Sequence, residues 1–467
     1  MMLLVQALPL LALVALLGTG RASAIGACLV ALALALPAAL MAIPQGAAGP
    51  AWLLDYATRS LAEGLWLALP PAGIVLGGLL FQSTSGGTAR TGGVEKPVDT
   101  LFTGAFLLGG FTETVTGFGI GSVFALAAFR RVGVTGTVAA ALALFSQMLI
   151  PWGGLGPGSS VGAALAGVPP QALASRNALM LAAELPLLLP LFWALCRKAG
   201  HPVPGPVKLA QLCWLLAEGA ILIAAHRLVA WEVCGLLATG IVLVVRLLLA
   251  DPPRGRAGWR AAIVQAAPYA LLAGVLLGSR LWSEVPRLTP FAGLPPLPLN
   301  HAMVGLWLVA LGLAAWRGDV LAAIGGALRR GWRPAAALTL FVLLARFLVH
   351  AGVPQALAMA LAGTFGAAAP FASPLLAGAA GFFAGSNVGS NSAMMPLQAE
   401  LGRVAGLGPL VLPAVQNGTL FLLLSPQVCA IASGLAGEGA TPRGIWRLSW
   451  PIFPIAIAVG LAFVAAG

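Results

Sequence analysis

Charge is what this sequence has least of. Charged residues fill 8% of its 467 positions, against roughly 25% in an ordinary soluble domain. A chain so poor in charge cannot cover a water-facing surface of its own size. Long polar stretches are also missing. The largest, Ser83 to Asp99, is too short and too glycine-rich to fold alone. Cysteine is sparse: five residues, none in a C-x-x-C pair, read as small apolar packing residues. With four histidines, no spacing resembles a metal site, and no metal or cofactor is expected. No Ser/His/Asp arrangement appears, so an enzyme is not expected. Gly117-Phe118-Gly119-Ile120-Gly121 has G-x-G-x-G spacing. It lacks the strand–helix–strand context of a dinucleotide site.

What remains is apolar. Hydrophobic residues make up 60% of the chain, and the mean hydropathy is +0.97. Apolar stretches of about 20 residues recur along its length, the length of a spanning helix. They do not alternate polar and apolar residues, which excludes barrel strands. The fold class expected is an all-α integral membrane protein, a polytopic helical bundle. The net charge of +12 does not point to nucleic acid. The basic residues sit in short loops, as the positive-inside rule expects. One cluster is Arg246, Arg254, Arg256 and Arg260; another is Arg317, Arg329, Arg330 and Arg333. Between them lie two apolar segments joined by a proline-rich loop near Pro290 to Pro298, so both clusters are placed inside and that loop outside.

Spanning candidates are 3–20, 24–43, 64–82, 134–151, 177–196, 209–225, 229–250, 261–281, 300–316, 334–350, 405–424 and 446–466. Stretches 99–130, 355–385 and 388–402 are apolar but interrupted by Gly, Ser, Thr and Asn. Ala22-Ser23-Ala24 resembles a signal cleavage site. No positive charge precedes the apolar run, and another apolar segment follows at once. Leu3 to Gly20 is therefore read as a first membrane helix.

The two halves share landmarks in the same order. Gly64-Leu65-Trp66 parallels Gly331-Trp332-Arg333. The cluster Gly110 to Gly119 parallels Gly385 to Ser392. Arg131-Val132-Gly133 parallels Arg403-Val404-Ala405-Gly406, and Phe145-Ser146-Gln147 parallels Val415-Gln416-Asn417-Gly418-Thr419. The helix at 334–350 follows a basic loop, whereas the helix at 64–82 precedes the loop with Arg90 and Lys96. Equivalent helices then run in opposite directions, so the repeats are expected to be inverted, with re-entrant hairpins and broken helices. The division expected is 1–225 for the first membrane repeat (core 60–200) and 226–260 for a connecting region with the cytoplasmic basic loop. The second repeat then takes 261–467 (core 330–440).

A glycine- and hydroxyl-rich interruption is tolerated in lipid only if buried in protein or lining a cavity. Two of them in equivalent places point to a binding site between the repeats. Bare N–H groups at half-helix ends suit an anion. The candidate substrate-binding residues are Thr114, Thr116, Gly117, Gly119, Ser386, Asn387, Ser390, Asn391, Ser392, Gln416, Asn417, Ser425 and Gln427. Glu113 is a carboxyl in mid-segment, which marks function by default. It is the candidate proton carrier, with a structural acid at a broken helix as the alternative. Glu184 and Glu218 are read as structural acids near helix ends. Arg346 either attracts an anion, snorkels or pairs with an acid.

These residues resemble the bacterial lactate permease family. Phe111, Glu113, Gly117, Phe118 and Gly119 match its Phe-hydrophobe-Glu-Gly-Ala-Ala-Gly-Phe-Gly signature. Gly385, Ser386, Ser390 and Asn391 match its Gly-Ser-Asp-Thr-Ser-Ser-Asn, and its Ser-Pro-Gln stands as Ser425-Pro426-Gln427. The resemblance covers roughly 60–155 and 330–440. It implies a proton symporter of lactate, glycolate or a related 2-hydroxy monocarboxylate, in the bacterial inner (cytoplasmic) membrane. Its partners would be a small carboxylate substrate, protons and membrane lipid, with homo-oligomer formation left open. Two departures remove charge. The family's acid is Asn387 here, and its lysine before Ser-Pro-Gln is Leu422. Losing both together is electrostatically sensible if they are partners, because a buried charge without its partner is costly. The departures keep other readings open: a different anion or a neutral solute on the same scaffold, a channel, or an intramembrane enzyme.

Overall fold

The computed structural model describes residues 2–41, 49–85, 96–117, 119–250, 252–282, 284–437 and 439–467. Arg90 and Phe118 lie outside the described residues. A peripheral pair, α1 (Met2–Gly18) and α2 (Ala24–Leu40), opens the chain. The first repeat runs from α3 (Gly49–Ser85) through α4 (Pro97–Phe102), a π-helical turn, α5 (Gly109–Thr116), α6 (Ile120–Arg131), α7 (Gly136–Ala143), α8 (Pro157–Ala166) and α9 (Pro170–Lys198). Then come α10 (Gly205–Leu228), α11 (Trp231–Ala250), α12 (Gly255–Gly278) and α13 (Ala302–Arg317). The second repeat holds α14 (Val320–His350), α15 (Val353–Phe365), α16 (Ser373–Ala384), α17 (Asn387–Val404), α18 (Val411–Gly418), α19 (Pro426–Ala436), α20 (Pro442–Ser449) and α21 (Ile452–Ala465). Among the described residues, seven helices are long and apolar enough to cross a membrane, or nine if each of two pairs bent by 47° is one span. The multi-pass helical bundle read from the sequence is therefore what the chain forms.

The repeat is visible element by element. In each half a long helix precedes a helix that breaks at a left-handed glycine. Gly117 (φ 70°) ends α5, and Gly385 (φ 61°) ends α16. A side chain with a Cβ rarely adopts that conformation. A short helix follows in each half and tightens into a 3-10 segment, Leu144–Gln147 with Ile150–Leu155 or Leu420–Leu424. The next helix starts on a proline, Pro157 or Pro426, in the first turn, where a missing N–H costs nothing. The segments 134–151 and 405–424 are thus not single spans. Each is an eight-residue helix plus a 3-10 stretch. The candidate 446–466 is likewise bent, between α20 and α21.

The long helices α3 and α14 pack together along their length, and their contacts fix the direction of the repeats. A Cβ on Gly64 would lie 2.7 Å from Leu343 Cδ2, and one on Gly331 would lie 2.6 Å from Leu76 Cδ2. Leu76 follows Gly64 by the same interval as Leu343 follows Gly331. The two contacts are one contact seen from both repeats, as across a two-fold axis. As α3 advances, α14 retreats, so equivalent helices are antiparallel and the repeats are inverted. Basic residues gather at the C-terminal end of α3: Arg317 donates to Ser83 O (3.4 Å), Arg330 to Leu79 O (3.4 Å), and Arg246 pairs with Asp99 (2.8 Å). The proline-rich loop lies towards the other end, where Trp66 Nε1 donates to Pro295 O (3.1 Å). The charge asymmetry of the sequence is therefore an asymmetry of the molecule.

Candidate functional site

Where the repeats cross, α8 of the first half lies beside α17 of the second. A Cβ on Gly158 would meet Asn387 Nδ2 at 2.8 Å. One turn on, a Cβ on Gly162 would meet Asn391 Nδ2 at 2.9 Å. Both helices advance together, so they are parallel and their N-termini lie level. The breaks flank this pair. The Gly117 break packs on Gly154, just before α8, and the Gly385 break packs on Gln427 at the start of α19.

Buried amides tie the crossing together. Asn417 is the hub: Oδ1 accepts from Asn391 Nδ2 (2.7 Å) and Asn387 Nδ2 (3.2 Å), while Nδ2 donates to Asn177 Oδ1 (2.7 Å) and to Ser159 Oγ (2.9 Å), whose own proton goes to Pro151 O (2.6 Å). Backbone carbonyls fix which end of each amide is which. Asn177 Nδ2 donates to Ala414 O (2.8 Å), so its Oδ1 is the acceptor, and Asn417 is oriented in turn. Asn391 Nδ2 also donates to Gly158 O (2.9 Å), and Gln427 Nε2 donates to Phe383 O (3.1 Å). A carbonyl can only accept, so none of these amides can flip. Among the described residues, three amide oxygens at this crossing are left buried without a partner: Asn387 Oδ1, Asn391 Oδ1 and Gln427 Oε1; the hydroxyl Ser392 Oγ is likewise unpartnered. Behind them, Gln416 Nε2 donates to Ser390 Oγ (2.8 Å), and Gln398 Nε2 reaches Gln416 Oε1 (3.4 Å).

The helix caps differ between the halves. Both oxygens of Glu113 accept backbone N–H groups at the start of α6, from Gly119 (3.1 Å) and Gly121 (2.9 Å). Glu113 thus lies across the break as an internal carboxyl capping a positive helix end. At the second break the hydroxyl of Ser386 takes that place, accepting from Gly389 N (3.0 Å). Ser425 caps α19 in the same way, through Val428 N (3.1 Å). The start of α8 has no side-chain cap. Thr114 and Thr116 donate to carbonyls of their own helix, Phe111 O and Thr112 O.

The residues singled out from the sequence therefore separate. Asn387, Asn391 and Asn417 share one network, and Ser390 with Gln416 forms a second pair behind it. Ser386, Ser425 and Gln427 belong to the second break and the start of α19, and Ser392 lies buried on α17. Thr114, Thr116, Gly117 and Gly119 belong to the first break and its cap. Ser159 and Asn177 were missed, although Asn177 is a polar residue in an apolar stretch, the same signal that singled out Glu113. Glu184 and Glu218 are not near helix ends; they sit in the middle of α9 and α10, buried, and among the described residues neither oxygen of either has a hydrogen-bond partner. Arg346 pairs with an acid rather than standing free for an anion. Its partner is Glu63 on α3, which His350 Nε2 also approaches at 3.2 Å.

The crossing thus combines two level helix N-termini with buried amides and no charged side chain. No charged residue occurs from 373 to 399 or from 411 to 436. The class defined by fold and site is a multi-pass membrane protein of two inverted repeats, crossing at broken helices. Residues 308–442 match the L-lactate permease family, in agreement with the resemblance of the motifs. An L-lactate permease of Halalkalibacterium halodurans is 33% identical over 108 residues, 23% of this chain. The match spans 20% of that protein's length. Among solved structures, the Alcanivorax borkumensis YdaH transporter, described as having an unusual topology, is similar over 90% of this chain and 89% of that one, with 15% identity and a TM-score of 0.46.

Proposed function

We propose that this protein is a secondary transporter of small organic anions, lactate or a related 2-hydroxy monocarboxylate, coupled to protons. The observation that carries the reading is the parallel pairing of α8 and α17. Their first-turn N–H groups and summed dipoles suit a carboxylate without a fixed cation. The unpartnered Asn387 and Asn391 oxygens, both on amides bonded to Asn417, suit a hydroxyl donor next to that carboxylate. A simple carboxylate leaves those oxygens unmet, which costs about 1–3 kcal/mol for a buried polar group. Relative movement of the repeats around the crossing would alternate access. The uncharged Asn387 and Leu422 favour a second reading, a different small solute on the same scaffold.

Uptake of labelled L-lactate into proteoliposomes, with and without an inward proton gradient, tests the proposal. Accumulation that requires the gradient supports symport. Reconstituted protein that takes up no lactate moves the ligand to another class, and a competition screen then finds it.

A further inference from the structure

Proton coupling needs a group that can hold and release a proton in the bilayer. Glu113, the first candidate, has both oxygens engaged by backbone donors. We infer that the coupling proton binds instead at Glu184, in the middle of α9; this rests on the transport reading above.

Three observations place it there. Glu184 is 0% exposed, and among the described residues neither oxygen has a hydrogen-bond partner. It is seven residues from Asn177, two turns along α9 on nearly the same face. That face looks at α18: a Cβ on Gly418 would lie 2.8 Å from Asn177 Nδ2 and 2.9 Å from Met180 Sδ. Helix α10 packs on the opposite flank, where a Cβ on Gly219 would lie 3.0 Å from Ala182 Cβ.

The surroundings leave Glu184 unpaired. Helices α7, α8, α18 and α21 pack along α9 and contain no ionisable side chain. Two turns on from Glu184, α4 and the 3-10 segment Leu144–Gln147 also meet α9 at Phe192, and Asp99 of α4 pairs with Arg246. Helix α10 carries Glu218 and His226 on the Ala182 side. Helix α11 meets α9 at its far end, where Gln171 bonds His226 O and Trp231 N. Its charges are matched elsewhere, Glu232 by Arg280 and Arg246 by Asp99. On α9 itself, Arg176, Cys196, Arg197 and Lys198 lie two turns or more away along the helix.

The step is a proton transfer from hydronium to a Glu184 carboxylate oxygen, giving the carboxylic acid and water, and its reverse on the other side. Coupling follows from like charge. An ionised Glu184 about 10 Å from the amide network would weaken anion binding by on the order of tenfold at an effective dielectric near 20. By reciprocity the bound anion favours proton uptake to the same extent. Burying an ionised carboxylate without donors is itself costly, so release waits on a conformation that admits water.

The test compares Glu184→Gln with Glu113→Gln in proteoliposomes. The inference expects Glu184→Gln to exchange labelled lactate across the membrane but to lose gradient-driven accumulation and its pH dependence. Glu113→Gln should keep both. Gradient-driven accumulation intact in Glu184→Gln overturns the inference. If the wild-type protein moves no lactate, the transport reading fails separately, and infrared spectroscopy of the purified protein still decides on the proton. A carboxylic C=O band that titrates in the wild type and is missing in Glu184→Gln supports the assignment. A wild-type protein without that titrating band refutes it.

Discussion

The two helix breaks are built to one plan and stabilised in opposite ways. At the first, the chain brings its own carboxylate: Glu113 reaches across the break and accepts from Gly119 and Gly121. At the second, a neutral hydroxyl on Ser386 caps α17, and amide oxygens beside it stay unmet. A helix end that already holds an anion has no need of another. An end capped by a hydroxyl keeps its positive field for a ligand. On a pseudo-symmetric scaffold this difference makes the first break a structural joint, and under the proposed function it leaves the second for the substrate.

The sharpest way to break the comparison is to give the second break its own anion. Ser386→Asp keeps an N-cap acceptor, so α17 should hold or gain a few tenths of a kcal/mol. The new carboxylate then competes for the site. Two unit charges about 4 Å apart at an effective dielectric of 20 repel by about 4 kcal/mol. Binding of labelled lactate should fall at least about 100-fold while the melting temperature in detergent stays level. Unchanged affinity would mean that the anion binds elsewhere.

The reverse change acts on stability. Glu113→Ala leaves two buried N–H groups at α6 unmet, at about 1–3 kcal/mol each. A clear drop in melting temperature is expected, larger than that of Glu113→Gln, whose single amide oxygen can keep one donor. Equal melting of Glu113→Ala and wild type would show that water replaces the cap.

Much of this was legible in the sequence because membrane burial leaves few options. Apolar length revealed the helices, basic loops gave their direction, and interruptions in Gly, Ser and Asn marked the breaks. The spans 134–151 and 405–424 misled because hydropathy counts apolar residues and is blind to the 3-10 turns that stop a helix from crossing. Glu113 was found, with a structural acid at a broken helix as one of its two readings; the N–H groups it caps, Gly119 and Gly121, were not foreseen, since capping depends on where the chain turns after the break. Asn177 and Ser159 escaped because they lie outside the repeated landmarks and reach the site only when one half packs on the other. Arg346 found its acid on a helix far away in sequence.

A smaller contrast lies one layer behind the breaks. Gln147 Nε2 donates to Ser122 Oγ (2.9 Å) as Gln416 Nε2 does to Ser390 Oγ (2.8 Å), so the two pairs are counterparts. Only Gln416 is fully buried and continues into Gln398, which in turn bonds Ser373. Gln416→Leu should therefore cost about 1–3 kcal/mol and slow transport, whereas Gln147→Leu should cost about 1 kcal/mol. Equal effects on uptake would place the substrate on the two-fold axis, shared by both halves.

The smallest expected effect tests the symmetry itself. Gly64 on α3 and Gly331 on α14 are counterparts, each pressed against a leucine of the opposite helix. A Cβ at Gly64 would come within 2.7 Å of Leu343 Cδ2 and 3.2 Å of its Cα. At Gly331 it would come within 2.6 Å of Leu76 Cδ2 and 2.8 Å of Leu79 Cδ1. Alanine gains about 1 kcal/mol in helix propensity over glycine and loses roughly 1–3 kcal/mol to overpacking, so each variant should lose about 1 kcal/mol net. Gly64→Ala should lose slightly more, because a backbone atom opposes it and only movable side chains oppose Gly331→Ala. If α3 and α14 pack across a two-fold axis, the paired substitutions push the helices apart in the same direction. The double variant should then lose less than the sum of the singles, since one separation relieves both contacts. Strict additivity in melting experiments would mean that each contact relaxes locally, and that the two helices do not move as one rigid pair.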